Sequence, residues 1–475
     1  MIRLFTFVWL ACLLSTLSAQ QSPVWSLQRC LTYAREHNLA FRQAELNTRS
    51  AEIALAQSQA ARMPSLNGST NAYSRFGYFV DPFTNTLQQQ TSLTFDAGLQ
   101  AGVTLYAGGR ITHTIRQREL GLAASEADLA NQEQQMALDI VLAYLSILQN
   151  EEVLESARTQ LASTREQRDR TEKLVRAGSA ALADLLQVDA QIATEELNVV
   201  NAQNQVELSY IRLQQLMNLD LGEPFSIEKM TLADPQGEFM AANPDEVYRY
   251  AEANQPSVRS AELSRQGAEA GVAVAKSAVL PTLSAFSSVG TGYSTGRQLT
   301  VGFEPGEPQV LDIEFNGVPA TISIPQQKPV QETYAFGNQI QDNVSANVSV
   351  GLSIPIYNRR QTRSNIEQAE ITLESARYTT ELARQQLKQV IEQAYFDARS
   401  AYSRFEATRQ QLSSAEVNFQ NVEKQFNVGL ANSLDYLVAK NNVNRARYDL
   451  VNAKYTYLFR IKVLDFYQGK PLTFN

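Results

Sequence analysis

Hydrophobic positions along this chain change period from two to seven, and the change is written out twice. Val344, Ala346, Val348, Val350, Leu352, Ile354 and Ile356 alternate with Asn343, Ser345, Asn347, Ser349, Gly351 and Ser353. Leu93, Phe95, Ala97, Leu99, Ala101, Val103 and Leu105 alternate in the same way with Thr94, Asp96, Gly98, Gln100, Gly102 and Thr104. Each stretch predicts a strand of about fourteen residues, longer than the ~5–6 of soluble sheets and sufficient for the ~9–11 of a tilted membrane strand. A hairpin needs a partner, so strands are also predicted over 66–78 and 283–293, opened by Pro64 and Pro281, where a missing N–H costs least. The hairpins then occupy 65–106 and 282–357, with Tyr106 and Tyr357 closing the returning strands. Their polar faces are Ser, Thr, Asn and Gly with almost no Lys or Glu, which suits a lumen lining better than a solvated outer face. The opposite face, with Leu93, Phe95, Leu99, Val103, Val344, Val348, Val350, Leu352 and Ile354, is the candidate lipid face.

Past each hairpin the apolar spacing becomes seven with a 3–4 split. Leu387, Ala394, Ala401, Thr408, Ala415 and Val422 repeat every seven, as do Ile391, Ala398, Phe405, Leu412, Phe419 and Phe426. In the first half Met136, Ala143, Asn150 and Ala157 run beside Ile140, Ile147, Leu154 and Leu161, and the pattern weakens at Arg168. This spacing predicts coiled-coil helices over 109–177 and 360–428. At 1.5 Å per residue a helix of roughly 70 residues is about 100 Å long. Gly178 and Gly429 end these helices as left-handed caps, and helices return over 183–217 and 434–466.

The two halves are a tandem duplication. Tyr33-Ala34, Ala44 to Leu46 and Pro64 recur 217 residues later as Tyr250-Ala251, Ala261 to Leu263 and Pro281. After a gap the offset becomes 251, taking Tyr106 to Tyr357, Tyr144 to Tyr395, Gly178 to Gly429 and Asp184 to Asp435. Repeat 1 therefore spans 20–226 and repeat 2 spans 244–475, joined by a side segment at 227–243. The second copy holds 34 extra residues, within a long loop at 296–341 that carries Glu304-Pro305-Gly306-Glu307-Pro308. A unit this long is not a solenoid repeat and points to a pseudo-symmetric protomer.

Composition narrows the setting. Residues 1–19 have one cation, Arg3, an apolar run from Leu4 to Leu17 and a Leu-Ser-Ala ending, the layout of a secretory signal peptide. Lipidation at Cys12 ranks second, because Trp9-Leu10-Ala11 leaves a short apolar region before it. Cys30 then has no disulfide partner and reads as a small buried helix residue. Removing Arg3 from the 41 basic residues leaves 40 against 49 acidic ones, a balance of −9 that excludes a nucleic-acid partner. No later apolar run approaches the ~18 residues of a membrane helix, so any bilayer crossing is made by strands.

Four strands cannot close a barrel, and open edges leave N–H and C=O groups unpaired in hydrocarbon. The protomer must assemble: two copies give eight strands and a filled interior, three give twelve and a bore. The polar inner faces favour three, with the helical hairpins packed as a tube. The fold class expected is mainly α with membrane β, an internally duplicated chain forming a conduit.

At this point the chain resembles the TolC family of outer-membrane efflux channels over essentially all of its mature length. The resemblance is carried by the duplicated helix-Pro-strand junctions, by Leu105-Tyr106-Ala107-Gly108-Gly109-Arg110, and by Val428-Gly429-Leu430-Ala431-Asn432-Ser433-Leu434-Asp435. It implies long coiled-coil hairpins forming an α-barrel, and a homotrimer in which four strands per protomer build a 12-stranded β-barrel. The setting it implies is the outer membrane with the helices extending into the periplasm. The implied role is the passive exit duct of a tripartite efflux or secretion system, with a periplasmic adaptor and an inner-membrane transporter as partners. Gly178, Gly429 and Leu430 become candidate adaptor-docking tips, and Asp184 and Asp435 candidate acids at the periplasmic entrance. Both acids also fit as first-turn residues at a helix N-terminus. Val438 and Gln187 supply no second carboxylate, and Asn358-Arg359-Arg360 stands where the first copy has Ala107-Gly108-Gly109.

An enzyme is not expected. His37 and His113 lack a second ligand at metal spacing, no acid-histidine-nucleophile set can be assembled, and Gly290-x-Gly292 lies in strand rather than before a helix. No catalytic, cofactor or metal site is therefore assigned. The alternative from another class is a periplasmic adaptor or structural coiled-coil protein, which would need neither the alternating strands nor the duplication. Two histidines and six methionines make soft-metal cargo the less favoured class.

Overall fold

A computed structural model gives the architecture for residues 24–80, 85, 87–89, 91–230, 243–315 and 317–470. The expected signal peptide with Cys12, and most of the side segment 227–243, lie outside the described residues. In chain order the elements begin with β1 (Val24–Trp25), α1 (Leu27–His37), α2 (Leu39–Ala60), β2 (Ser65–Arg75), β3 (Tyr78–Val80), β4 (Leu87–Gln89) and β5 (Ser92–Ala107). Two long helices, α3 (Arg110–Arg176) and α4 (Leu182–Met217), lead to β6 (Ser226–Ile227). The second half has α5 (Pro244–Asn254), α6 (Pro256–Ser277), β7 (Thr282–Ser294), β8 (Gln298–Pro305), β9 (Gln309–Phe315), β10 (Val318–Ile324), β11 (Gln327–Thr333), α7 (Phe336–Asp342), β12 (Ser345–Ser353), α8 (Gln361–Asn427) and α9 (Ser433–Tyr467).

The duplication is visible in the element starts. Leu27 to Pro244 and Leu39 to Pro256 are both steps of 217, and Arg110 to Gln361 and Leu182 to Ser433 are both steps of 251. Capping follows the same rule. Ser26 accepts from the Arg29 N–H at 3.3 Å, and its counterpart Asn243 accepts from the Asp245 N–H at 3.1 Å, each answering one orphan donor of a helix start.

Unit one comprises the described parts of Met1–Ile53, Glu119–Gly267 and Leu373–Asn475, and so draws on both repeats. Its two larger cores are copies of each other. Cys30, Ala34, Phe41, Met136, Ile140, Ile147 and Leu213 are buried in one, and Val247, Ala251, Val258, Leu387, Ile391, Ala398 and Leu464 in the other, at the same two offsets. On α8 the buried residues Leu387, Ile391, Ala394, Ala398, Ala401, Phe405 and Thr408 step by four and three, the seam of a coiled coil. Each fully buried Ile or Leu in such a seam contributes about 1.5–3 kcal/mol of transfer free energy. The first core also takes in the short parallel pair of β1 and β6, where Val24 lies opposite Ser226 and Trp25 opposite Ile227. Tyr144 on α3 anchors that pair, its hydroxyl donating to the Glu228 carbonyl at 2.8 Å. Ile227, the first residue of the expected side segment, is buried in this core along with Leu219.

Unit two comprises Ala54–Arg118 and Ala268–Thr372. Its centre is a four-stranded antiparallel sheet in the order β12-β7-β5-β2, so strands of the two repeats meet at the β7–β5 seam. β12 is shorter than the fourteen residues expected. At one end Val344 and Asn343 precede it, because α7 occupies the approach; at the other, Pro355 has no N–H to donate, and Ile354, Ile356 and Tyr357 fall outside the strand. β5 is longer, at 16 residues, with a bulge between Thr104 and Tyr106. That bulge puts Tyr106, not Leu105, opposite Leu283.

The segment between β7 and β12 is not irregular. β8 pairs with β11 and β9 with β10, and the Gly306 N–H donates to the Gln326 carbonyl at 2.8 Å between the two pairs. The result is one two-stranded ribbon over 298–333. Asn316-Gly317 between runs of alternating apolar residues is the sequence signal for that hairpin, and Gly317 has φ +77°.

Candidate functional site: a two-faced sheet and the helical tips

The pairing register carries the alternation of each strand across the whole sheet. Phe95 lies opposite Tyr293 and Ala72, Leu99 opposite Val289 and Gly68, Val350 opposite Ala285, and Leu352 opposite Leu283. Leu93, Phe95, Leu99, Val103, Val348, Val350 and Leu352 therefore share one face, and most of them are exposed. Val344 and Ile354 flank β12 and are exposed as well. The other face carries Ser65, Asn67, Asn71, Asp96, Gln100, Ser284, Ser288, Asn347 and Ser349, with Asn71 donating to Asp96 at 2.9 Å. One large apolar residue breaks this face: the Phe286 ring lies over Gly102, where an added Cβ would come within 3.2 Å of it.

The outer strands β12 and β2 each pair on one side only. Where β12 stops, α7 takes over the edge of β7 with side chains. Gln339, wholly buried, accepts from the Ser294 N–H and donates to the Ser294 carbonyl, both at 3.1 Å, and Asn343 donates to the Gly292 carbonyl at 2.6 Å. Phe336 packs its ring on Phe95 and Tyr293. These two amides stand in for the ladder bonds of a strand, which explains how β12 can begin at Ser345 although the alternation starts at Asn343.

In unit one both long hairpins turn through glycine. Gly178 has φ +71° and Gly429 φ +79°, with nothing near either Cα for an added Cβ to meet. Ser179 donates to the Leu174 carbonyl and Leu430 to the Gln425 carbonyl, at 2.9 and 2.8 Å, a Schellman closure at each tip. Leu430 is strongly exposed, beside exposed Val428 and Leu434. Asp184 and Asp435 occupy the same position of their helices, three past the cap, but behave differently. The Asp184 carboxylate accepts from the Ala181 N–H at 3.1 Å; at the other tip the cap is Asn432, which accepts from the Asp435 N–H at 2.8 Å and leaves the Asp435 carboxylate exposed.

Between the cores and the tips the seams turn polar, a feature the apolar pattern hides. Thr164, Gln167 and Thr171 continue the buried stripe of α3, and Glu195 on α4 and Lys440 on α9 are 4% and 5% exposed. Gln160 and Gln191 both donate to Glu195 Oε1, at 3.0 and 2.9 Å, and Gln191 also reaches Asn441. Glu195 Oε2 and Lys440 Nζ have no hydrogen-bond partner among the described residues. Burial pulls the Lys440 ammonium below the usual lysine range, opposed by the charges of Glu195, Glu166 and Glu423. A cleft of about 550 Å³ opens beside Glu195, lined chiefly by Asn and Gln. No cluster of His, Cys, Asp or Glu that could hold a metal ion is assembled among the described residues. Likewise, no helix among them is long and apolar enough to cross a membrane.

Comparison with known proteins gives the same architecture a family context. The family model described as Outer membrane efflux protein matches residues 31–219 and 247–465. Over 349 residues the chain is 23% identical to Outer membrane protein TolC of Escherichia coli, covering 73% of this chain and 63% of that protein, just under two thirds of its length. It is 22% identical over 441 residues to Outer membrane efflux protein BepC of Brucella suis, covering 93% and 84%. Among solved structures, crystal structures of CusC, described in terms of folding and transmembrane channel formation, superpose with a TM-score of 0.74 at 17% identity over 96% of both chains.

Proposed function

The chain belongs to the outer membrane efflux protein family, and from that premise we propose that it is the outer-membrane exit duct of an efflux or secretion system. Three copies join β12 of one to β2 of the next, so that twelve strands close around a bore lined by the Ser, Thr and Asn face. Leu93, Phe95, Leu99, Val103, Val344, Val348, Val350, Leu352 and Ile354 face lipid. The helical hairpins extend into the periplasm, where the tips at Gly178, Gly429 and Leu430 meet an adaptor that connects to an inner-membrane transporter. Transport through such a lining is passive, and selection belongs to the transporter.

The observation that carries this reading is the segregation of the four-stranded sheet into one apolar and one small-polar face with both edges open. A water-soluble adaptor would place neither such a face nor such edges in water. Light scattering of the detergent-purified protein tests it. A trimer that also forms steps of conductance in planar bilayers supports the duct; a monomer soluble without detergent removes it in favour of an adaptor-like coiled-coil protein.

A further inference from the structure

The ribbon β8–β11 has an apolar side that nothing in its own unit explains. In the β9–β10 pair Leu311 lies opposite Ile322 and Ile313 opposite Ala320, and Val318 and Ile324 extend the same side. All of these large residues are exposed. The other side pairs Asp312 with Thr321, which donates to it at 3.3 Å, and Glu314 with Pro319. On β8, Leu299, Val301 and Phe303 are exposed too, but a register shift at Val301 sets Leu299 opposite Glu332 and Phe303 opposite Pro329, so the continuous apolar side is that of β9 and β10. Two strands alone are marginally stable in water, and a continuous exposed apolar side marks an interaction surface.

Resting on the trimeric duct proposed above, we infer that this side is covered by the ribbon of a neighbouring copy of the same chain. Charge disfavours a lipid surface as the occupant: the ribbon over 298–333 has a single cation, Lys328, set opposite Glu304, against Glu304, Glu307, Asp312, Glu314 and Glu332, whereas elements that lie on membranes carry cations on their polar side. Connectivity favours another copy. The ribbon leaves β7 and returns through α7 into β12, the open edge strand that a neighbour must pair. Closing the barrel therefore holds the ribbons of adjacent copies together at high effective concentration, enough for a modest apolar contact to form. The acidic sides then face water.

Single cysteines test this in outer membranes of cells making the full chain. Leu311→Cys and Ile322→Cys lie on the apolar side, Asp312→Cys and Ser323→Cys on the other. Cys30 is wholly buried with its thiol pushed up to about 12 by burial, and a control without an added cysteine reports any background. The probe is a bis-maleimide of about 10 Å, the spacing of packed sheets. Cross-linked dimers at least tenfold more abundant from the Leu311→Cys and Ile322→Cys proteins than from the other pair support the inference. Equal, low cross-linking in all four while the detergent-extracted protein remains a trimer overturns it and leaves the duct reading standing; a monomer overturns both. Ile322→Trp adds a second readout, since fluorescence quenched severalfold by brominated lipid would make lipid the occupant and overturn the inference too.

Discussion

Arg359 and Arg360 adopt φ of +56° and +68°, the left-handed backbone of Gly108 and Gly109 at +59° and +82°. The strand-to-helix step is therefore the same in both copies although only one has glycine, and the second copy holds two strained residues. Arg360 has a compensating contact, an ion pair with Glu367 at 3.3 Å. Arg359→Gly should raise stability by up to about 1 kcal/mol, less the backbone entropy that glycine adds to the unfolded chain. In the first copy the opposite change is costly. A Cβ on Gly108 would stand 2.6 Å from Leu280 Cβ and 3.0 Å from the Ser277 carbonyl, so Gly108→Ala should lose at least 2 kcal/mol, roughly the sum of strain and overlap. Thermal unfolding followed by circular dichroism in detergent decides both, and equal midpoints for the two variants and the parent would remove the strain argument.

Lys440 and Glu195 present a second residue-scale case, two buried charged groups in a helical seam that no ion pair joins. Because Lys440 Nζ has no hydrogen-bond partner among the described residues, replacing it removes a desolvated charge, so Lys440→Met with Glu195→Gln should be no less stable than the parent near neutral pH. The pH dependence has a definite sign. Because the folded state lowers the Lys440 pKa, it releases that proton before the unfolded chain does, and unfolding takes up protons in the window between the lowered value and the usual lysine value. Stability of the parent relative to the double variant should therefore rise as pH climbs through that alkaline window. A flat difference would mean that burial does not set the charge of Lys440. Neither residue was legible in the sequence, because a charge inside a heptad reads as a solvated position until the helix across from it is known.

Among the elements, what could be read in advance depended on how local its cause was. The helices α3 and α8 follow from seven-residue spacing and end at Gly178 and Gly429, each set by neighbours in sequence. The alternating faces of β5 and β12 follow likewise. The start of β12 does not, because the side chains of Gln339 and Asn343 take up the edge of β7, some fifty residues away in the chain. The ribbon was locally signalled by Asn316-Gly317 yet masked by the prolines around it. Face assignment gives the element-scale test. Val350→Arg, on the apolar side, should cost about 2–4 kcal/mol if it sits near the bilayer midplane, whereas Ser349→Arg, one residue away, should be tolerated. Urea unfolding of the protein refolded into lipid vesicles measures both; equal losses would mean that the sheet has no lipid side.

For the whole molecule the open question is which groups control passage, and the two tip acids separate cleanly. The Asp184 carboxylate is committed to its own helix through the Ala181 N–H, whereas Asn432 does that work at the other tip and leaves the Asp435 carboxylate exposed. Three copies would bring three Asp435 carboxylates to one ring, where like charges attract cations and narrow the opening to anions. Asp184→Ala should accordingly cost about 1 kcal/mol of helix-cap stability with single-channel conductance unchanged. Asp435→Ala should leave unfolding unchanged and raise conductance, most at low salt, where the field of an exposed ring is least screened. Planar-bilayer recordings at two salt concentrations distinguish the roles. If both substitutions leave conductance unchanged, Asp435 acts only on the first turn of its helix, and control of passage lies elsewhere in the assembled duct.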